Sequence, residues 1–335
     1  MRRSLLGGWL ALCLAGAAPA TATELTGINL AGGEFGGFDA KYGYGYVYPG
    51  EPQIDHFAAL GMNVFRVPMR WERIVTQPGS ALIEIEMKRI DGVIAAANAR
   101  GVSVVIDIHN YGRFRGQPLG SLTVSKADLA DLWSRLATRY GSNPKVIFGL
   151  MNEPVHISAA DWAGVAQSLI DAIRDRGASN LILVPGANWS GAHSWTKRIN
   201  GVSNADAMQG LRDPQQNFAF DFHQYFDPYS SGAGTTCVTE TEAARRIGVA
   251  TIWLVRTGNR GFLSEFGVGR SPECLLVLRR VLTTLAADPH WLGWTIWASA
   301  QWFGTYQYNL HPSTNPPQLE ILKPFLTTPP VRPVR

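Results

Sequence analysis

Lys145-Val146-Ile147-Phe148-Gly149-Leu150-Met151-Asn152-Glu153-Pro154 sets the reading of this chain. A short apolar run, the length of one buried strand, ends in Leu-Met and is followed at once by a polar Asn-Glu-Pro turn. Phe262-Leu263-Ser264-Glu265-Phe266-Gly267 repeats the arrangement, again with one Glu just past an apolar run. A carboxylate at such a position is costly as a core residue, because an unpaired charge loses its hydration there. At the open end of a strand it is available for chemistry.

Working outward, apolar strand-like runs alternate with segments of helical period along the whole chain. Strands are expected at 26–30, 63–67, 102–108, 145–150, 181–184, 218–222, 262–265 and 293–297. Amphipathic helices are expected at 87–100, 126–140, 159–176, 240–256 and 272–287, with weaker signals at 53–60 and 205–211. Gly61 and Gly101 follow periodic segments where a left-handed helix cap is expected, and Asp175-Arg176-Gly177 closes another. No break rich in Gly, Pro or Ser and no internal repeat divides the series. The fold class is α/β, and a single (β/α)8 TIM barrel is the economical reading. The length of 335 residues is compatible, since such barrels commonly run to about 250 residues or more as one domain.

The ends of the chain read differently. Arg2 and Arg3, the apolar stretch from Leu5 to Ala17 and the small residues Ala18, Ala20 and Ala22 form an export signal, so 1–22 is expected to be removed. The apolar stretch is short for a membrane span. An uncleaved anchor is the rival reading. Cys13 follows Leu12 rather than a small residue, which argues against a lipoprotein signal. The catalytic domain is expected at 23–326, and the proline-bearing segment 327–335 is expected to be an extended tail. The product is then secreted, extracellular or periplasmic, and free of the membrane. Setting aside Arg2 and Arg3 from 30 basic residues leaves 28 against 26 acidic, and no basic run interleaves with aromatics. Nucleic acid is therefore not an expected partner. Past the signal only Cys237 and Cys274 remain. In an oxidising compartment they form one disulfide or stay as two free thiols, and the disulfide is the expectation. Two cysteines alone do not make a zinc site.

In a barrel of this kind, reactive groups sit at the C-terminal ends of the strands. Here those ends are polar and aromatic. They carry Asn29 and Glu34, then Arg66 with Arg70 and Trp71, then His109, Asn110 and Tyr111, then Asn152 and Glu153. The later strands bring Asn188 and Trp189, then His223 and Tyr225, then Glu265, then Trp297. Either Glu alone could be the buried partner of an arginine. Together, at the fourth and seventh strand ends, Glu153 and Glu265 make a pair of the kind that breaks a glycosidic bond. His109 and His223 read as core histidines, metal ligands or orienting hydrogen-bond partners. No His-x-His or His-Glu-x-x-His spacing supplies a third ligand, so orientation is expected, with no metal and no cofactor. Of the eleven tryptophans, Trp133, Trp162 and Trp253 fall within helices and read as packing. Trp189, Trp297 and Trp302 follow strands and are candidates to stack on sugar rings. Arg66, beside two acids, would keep one of them ionised.

These stretches resemble glycoside hydrolase family five, and within it the compact bacterial and fungal endoglucanases. The resemblance is carried by Gly27-Ile28-Asn29-Leu30-Ala31-Gly32-Gly33-Glu34-Phe35-Gly36, Phe65-Arg66-Val67-Pro68, His109-Asn110-Tyr111-Gly112-Arg113, Phe148-Gly149-Leu150-Met151-Asn152-Glu153-Pro154, Trp189-Ser190-Gly191-Ala192, His223-Gln224-Tyr225, Glu265-Phe266-Gly267 and Trp294-Thr295-Ile296-Trp297. It implies a retaining endo-β-1,4-glucanase with Glu153 as acid/base and Glu265 as nucleophile. Arg66, His109, Asn152, His223, Tyr225 and Trp297 match residues around them, and Asn110 and Trp189 join the substrate-binding set. The two cysteines match a disulfide of this group. The implied partner is a β-glucan chain, and a monomer is expected. Mannan, xyloglucan and mixed-linkage glucan remain alternative substrates. A metal-dependent barrel hydrolase and a binding barrel without catalysis are the other classes. The chain departs from the family pattern at Ser264, where Gly is common before the nucleophile, at Ile108, where Pro is frequent, and over Gln301-Trp302-Phe303-Gly304, which replaces a more aromatic stretch.

Overall fold

The computed structural model describes residues 23–326, so the expected signal 1–22 and tail 327–335 lie outside the described residues. Eight strands run parallel: Leu25–Leu30 (β1), Val64–Met69 (β2), Ser103–Ile108 (β3), Val146–Gly149 (β4), Ile182–Pro185 (β5), Phe218–Tyr225 (β6), Gly261–Gly267 (β7) and Trp291–Ser299 (β8). They are neighbours in chain order, and β8 pairs with β1 to close the barrel. Each expected strand is present. The last three run longer than their apolar runs, because β6, β7 and β8 continue through the polar residues of the site.

Six long helices cover the outside: Glu51–Ala59 (α1), Glu84–Ala99 (α2), Lys126–Tyr140 (α3), Ala159–Arg174 (α4), Glu240–Thr257 (α5) and Pro272–Ala286 (α6). Between β5 and β6 the crossover is reduced to the single helical turn Asn204–Ala207 and three 3-10 turns, which is why the periodic signal there was weak. Helix starts follow from single side chains. Ser125, Ser158, Thr239 and Ser271 each accept a hydrogen bond from the backbone N–H three residues on. Gly61, Gly101 and Gly177 take positive φ at 101°, 80° and 75°, as expected of residues that leave a helix. Trp133 and Trp162 are buried packing residues, and their indole N–H groups donate to the carbonyls of Leu150 and Pro185 at 3.0 and 2.6 Å. Those bonds fix α3 and α4 against the ends of β4 and β5, where the site begins.

Alternation along each strand builds the barrel interior in layers. At the bottom, Val64, Val105, Ile147, Leu183, Ala219 and Phe262 form a separate apolar plug, with one residue from each of six consecutive strands. Two residues further on, the inward positions become Arg66, Asp107 and Asp221. On β2, β3 and β6 the apolar floor thus gives way to charge within two residues.

Cys237, ahead of α5, and Cys274, in the first turn of α6, form a disulfide with Cα atoms 5.2 Å apart and a sequence separation of 37. The loop it closes carries all of β7, including Glu265. Replacing both cysteines by Ala should lower unfolding free energy by about 4 kcal/mol on the chain-entropy account, read as a shift of the urea midpoint relative to the parent. A midpoint within error of the parent would contradict that role.

Candidate active site

Arg66 is buried, with 1% of its surface exposed. Its guanidinium meets four oxygens. Nη1 donates to Glu265 Oε2 at 2.9 Å and to Asn29 Oδ1 at 2.7 Å. Nη2 donates to Asn152 Oδ1 at 2.6 Å and lies 3.0 Å from Asp107 Oδ2. Burial alone opposes a charge at this depth, but the carboxylates of Asp107 and Glu265 outweigh it and hold the guanidinium protonated. The planar fork suits this task, since one side chain addresses four strands at once.

The same balance of burial against charge sets the acids. Burial pushes the Glu265 carboxyl up, but the charges of His223, Arg66 and His109 and a hydrogen bond from Tyr225 pull it further down, so it lies below its ordinary value. Tyr225 donates to Glu265 Oε1 at 2.8 Å, and burial beside that charge keeps its own phenol protonated. Asp107 is likewise lowered, with burial outweighed by Arg66 and by His109, whose Nδ1 sits 2.7 Å from Asp107 Oδ2. Asp221, with no such cation in contact, is pushed upward by burial. Glu34 is also pushed upward by burial; its Oε2 accepts the Gly32 N–H at 2.8 Å.

Glu153 and Glu265 face each other across one cleft. An oxygen of each and a ring nitrogen of His223 all lie within 4.8 Å of one another. His223 Nδ1 is 2.8 Å from Glu153 Oε1, and Nε2 is 3.1 Å from Ser264 Oγ. This spacing could admit a metal ion. Both ring nitrogens, however, already have protein partners, and Glu265 is held by Arg66 and Tyr225. The donor set is thus spent on fixing two carboxylates.

The cleft has a volume of about 720 Å³, and its wall includes His109, Tyr111, Glu153, Trp189, His223, Tyr225, Glu265 and Trp297. His109 and Trp297 are stacked, with ring centroids 5.7 Å apart. Trp189 is 58% exposed and Tyr229 90% exposed on the same wall, so both present bare aromatic faces to the cleft. Arg66 and Asn152 stand beneath the wall, where Arg66 binds Asn152 and Glu265. Asn110 is not among the residues that line the cleft. Its Oδ1 accepts the Trp71 N–H at 2.7 Å and its Nδ2 donates to Glu72 at 2.7 Å, which leaves it buried with both ends occupied. Asp107, Asp221 and Tyr229 were missed in the sequence. For the two aspartates a signal existed, a single Asp inside each of the apolar runs Val104-Val105-Ile106-Asp107-Ile108 and Phe220-Asp221-Phe222. Tyr229 sits in a loop with no pattern to mark it.

A parallel barrel with two facing carboxylates at the ends of β4 and β7, and aromatic rings along the cleft between them, is the architecture of a glycoside hydrolase. The family description "Cellulase (glycosyl hydrolase family 5)" matches residues 18–300. The chain is 35% identical to Endoglucanase 1 of Saitozyma flava, over 92% of each chain. Among solved structures it is similar to an endo-beta-1,4-glucanase of Xanthomonas axonopodis pv. citri, at 40% identity and a TM-score of 0.88 over 90% of this chain and 98% of that one. It is also similar to XacCel5A in complex with cellopentaose, at 39% identity and a TM-score of 0.88 over 90% and 99%. The chain belongs to glycosyl hydrolase family 5.

Ion pairing with Arg66 fixes a pH dependence. The pKa values of Asp107 and Glu265 are lowered in the folded protein. Their pairs therefore stabilise above the ordinary carboxylate range and lose that contribution as pH falls through the folded values. Arg66→Met leaves both acids buried without their cation. It should cost about 3–5 kcal/mol at pH 7 in urea unfolding, and the deficit should narrow as the pH is lowered and the acids take up protons. A deficit that grows on acidification would contradict the assignment.

Proposed function

We propose that Glu265 is the nucleophile and Glu153 the acid/base of a retaining endo-β-1,4-glucanase. The observation that carries this is that an oxygen of Glu153 and an oxygen of Glu265 lie within 4.8 Å of each other, an approach that fits the roughly 5–5.5 Å carboxyl separation of retaining enzymes better than the roughly 6.5–9.5 Å that makes room for an inverting water. Their environments divide the labour. Glu265, held by Arg66 and Tyr225, is kept anionic and is placed to attack the anomeric carbon. As that bond forms, the glycosidic C–O bond breaks and the Glu153 proton passes to the leaving oxygen. A glycosyl ester on Glu265 results. Glu153, now a carboxylate, takes a proton from water as the water oxygen attacks the anomeric carbon, and the ester C–O bond breaks to release Glu265.

The substrate reading is an internal β-1,4-linked glucan bond, with soluble or amorphous cellulose preferred over mannan, xyloglucan or mixed-linkage glucan. It is supported by family membership, by the endoglucanase relatives and by a similar structure that holds cellopentaose. Trp189 and Trp297 are taken as platforms that stack on sugar rings, with His109 orienting a hydroxyl. Every residue of the scheme comes from one chain, which supports action as a monomer. Export is supported by the leader at 1–22 and by the disulfide, which suits an oxidising compartment. Among the described residues, no helix is long and apolar enough to cross a membrane.

Turnover should be measured on carboxymethylcellulose, mannan, xyloglucan and mixed-linkage glucan, with product lengths. Glu265→Gln should abolish nearly all turnover while retaining cello-oligosaccharide binding, and Glu153→Gln should cost about 10²–10⁴ in rate. The first product should keep the β configuration by proton NMR. An α product, or a Glu265→Gln variant that still hydrolyses glucan well, would sink the reading. Because every step uses the chain's own side chains, activity should survive a chelator; its loss would favour a metal held by the histidines.

A further inference from the structure

The loop that follows β6 is tied down from three directions. Asp227, two residues past the strand, is fully buried. Its carboxylate accepts the N–H groups of Tyr229, Ser231 and Gly232 at 3.2, 2.9 and 2.8 Å, and the Ser231 hydroxyl at 2.9 Å. Burial opposes a charge there, but these donors outweigh it and hold the carboxyl below its ordinary value. Arg246, buried on α5, binds the same loop from outside. Its Nη1 donates to the Asp227 carbonyl at 2.9 Å and to the Ser230 hydroxyl at 2.8 Å, and its Nη2 donates to the Pro228 carbonyl at 3.1 Å. Past β8, the Tyr306 hydroxyl and Gln307 Nε2 donate to the carbonyls of Gly232 and Gly234, each at 2.7 Å. Gly232 has φ of 70°, and a Cβ there would lie 2.9 Å from the Tyr225 ring, so only glycine fits.

Tyr229 projects from this fixed loop with 90% of its surface exposed. Its own N–H is bound to Asp227, and the next N–H, of Ser230, donates to the Asp227 carbonyl at 3.1 Å. The backbone is therefore set, while the ring has no packing role to explain it. Tyr229 lines the cleft that holds Glu153 and Glu265, and so does Trp189. Trp189 is prepared in the same manner. It has φ of 59°, and it is followed by the fully buried Ser190, whose hydroxyl oxygen accepts the Gly186 N–H at 2.8 Å.

The strand order says which part of a substrate meets these rings. Between β4, which leads to Glu153, and β7, which carries Glu265, the barrel has β5 and β6 on one side and β8, β1, β2 and β3 on the other. A glucan lying between the two acids has one half on each side. The larger side holds fixed polar groups, Arg66, Asp107 and His109, with Trp297 stacked on His109. These suit the sugar whose anomeric carbon reacts, because charge develops on that ring. The smaller side offers the bare rings of Trp189 and Tyr229, which accept an apolar sugar face and demand no single pattern of hydroxyls. Resting on the reading of Glu153 and Glu265 as the reacting pair, we propose that Tyr229 is a further sugar platform on the leaving-group side, shared with Trp189 by the glucosyl units that depart, and that Asp227 is the positioning residue that fixes it. A ring carried on a loop already ordered loses little freedom when the sugar arrives, so more of the contact is realised as binding.

The test compares two substrates that share a glycone. Cellopentaose, followed at the bond that yields cellotriose and cellobiose, places sugar on the leaving-group side. β-Cellotriosyl fluoride releases only a fluoride ion there. In Tyr229→Ala the ratio of kcat/KM for cellopentaose to that for the fluoride should fall about threefold to tenfold, the scale of one aromatic face. Tyr229→Phe and Tyr229→Trp should keep the ratio of the unmodified enzyme. Disturbance of Tyr225 or Glu265 cancels in this ratio, because both substrates pass through the same glycosyl ester. An unchanged ratio in Tyr229→Ala, from equal losses or from none, would overturn the proposal. Asp227→Asn, which keeps the side chain's shape but puts a donor where an acceptor is needed, should lower the ratio in the same direction and add nothing further when combined with Tyr229→Ala. An additive fall, or none, would overturn the positioning role. An unmodified enzyme that cleaves neither substrate would overturn the functional reading itself.

Discussion

A single buried guanidinium organises this barrel. Arg66 spans the interior from β2 and binds groups from β1, β3, β4 and β7. Such a cation is expensive to desolvate and is stable only when its donors are all met. That condition constrains its neighbours: Asn29, Asp107, Asn152 and Glu265 must each offer an oxygen at a fixed height. The apolar plug below supplies the rigid floor, and the strand register sets the height. Glu265, which burial would otherwise protonate, is thereby kept charged, and on the proposed assignment the interaction that stabilises the interior also prepares the reaction.

The site also holds backbone conformations that side chains disfavour. Tyr111, Glu153, Asn188 and Trp189 all have positive φ, between 42° and 59°. A non-glycine residue in this region costs about 1 kcal/mol or more. Their concentration at the cleft indicates that the loops are held open against local preference by the packing beneath them. Arg73 contributes on the β1 side, where it donates to the carbonyls of Gly33 and Phe35 and lies over the Tyr46 ring at 3.7 Å.

Most of the fold was legible because each barrel strand is a short apolar run and each crossover carries a helical period. The crossover after β5 was faint because it contains only one turn of helix. The site was legible where residue type and position coincide: Glu153, Glu265, His223 and Tyr225 stand at strand ends and meet as expected. Asn110 shares that position but lies off the cleft wall, since position does not reveal that Trp71 and Glu72 bind both ends of its amide. Asp107 and Asp221 were overlooked for the opposite reason, being interior residues of apolar runs whose partner, Arg66, lies on another strand. The bulge at Ser264 was not legible either. Simple alternation puts Ser264 and Glu265 on opposite faces, and only the pairing of β7 with β6 shows that both turn inward.

On the proposed assignment two chemically identical side chains take different roles because their partners differ. Glu265 is pinned by a fixed cation and a phenol that can only donate, so its charge is settled by the scaffold. Glu153 meets His223, which can give or accept a proton. The barrel thus provides one carboxylate with a permanent environment and the other with a switchable one. Double displacement demands this asymmetry, because the nucleophile must be anionic when it attacks and when it leaves, whereas the acid/base changes state twice in each turnover.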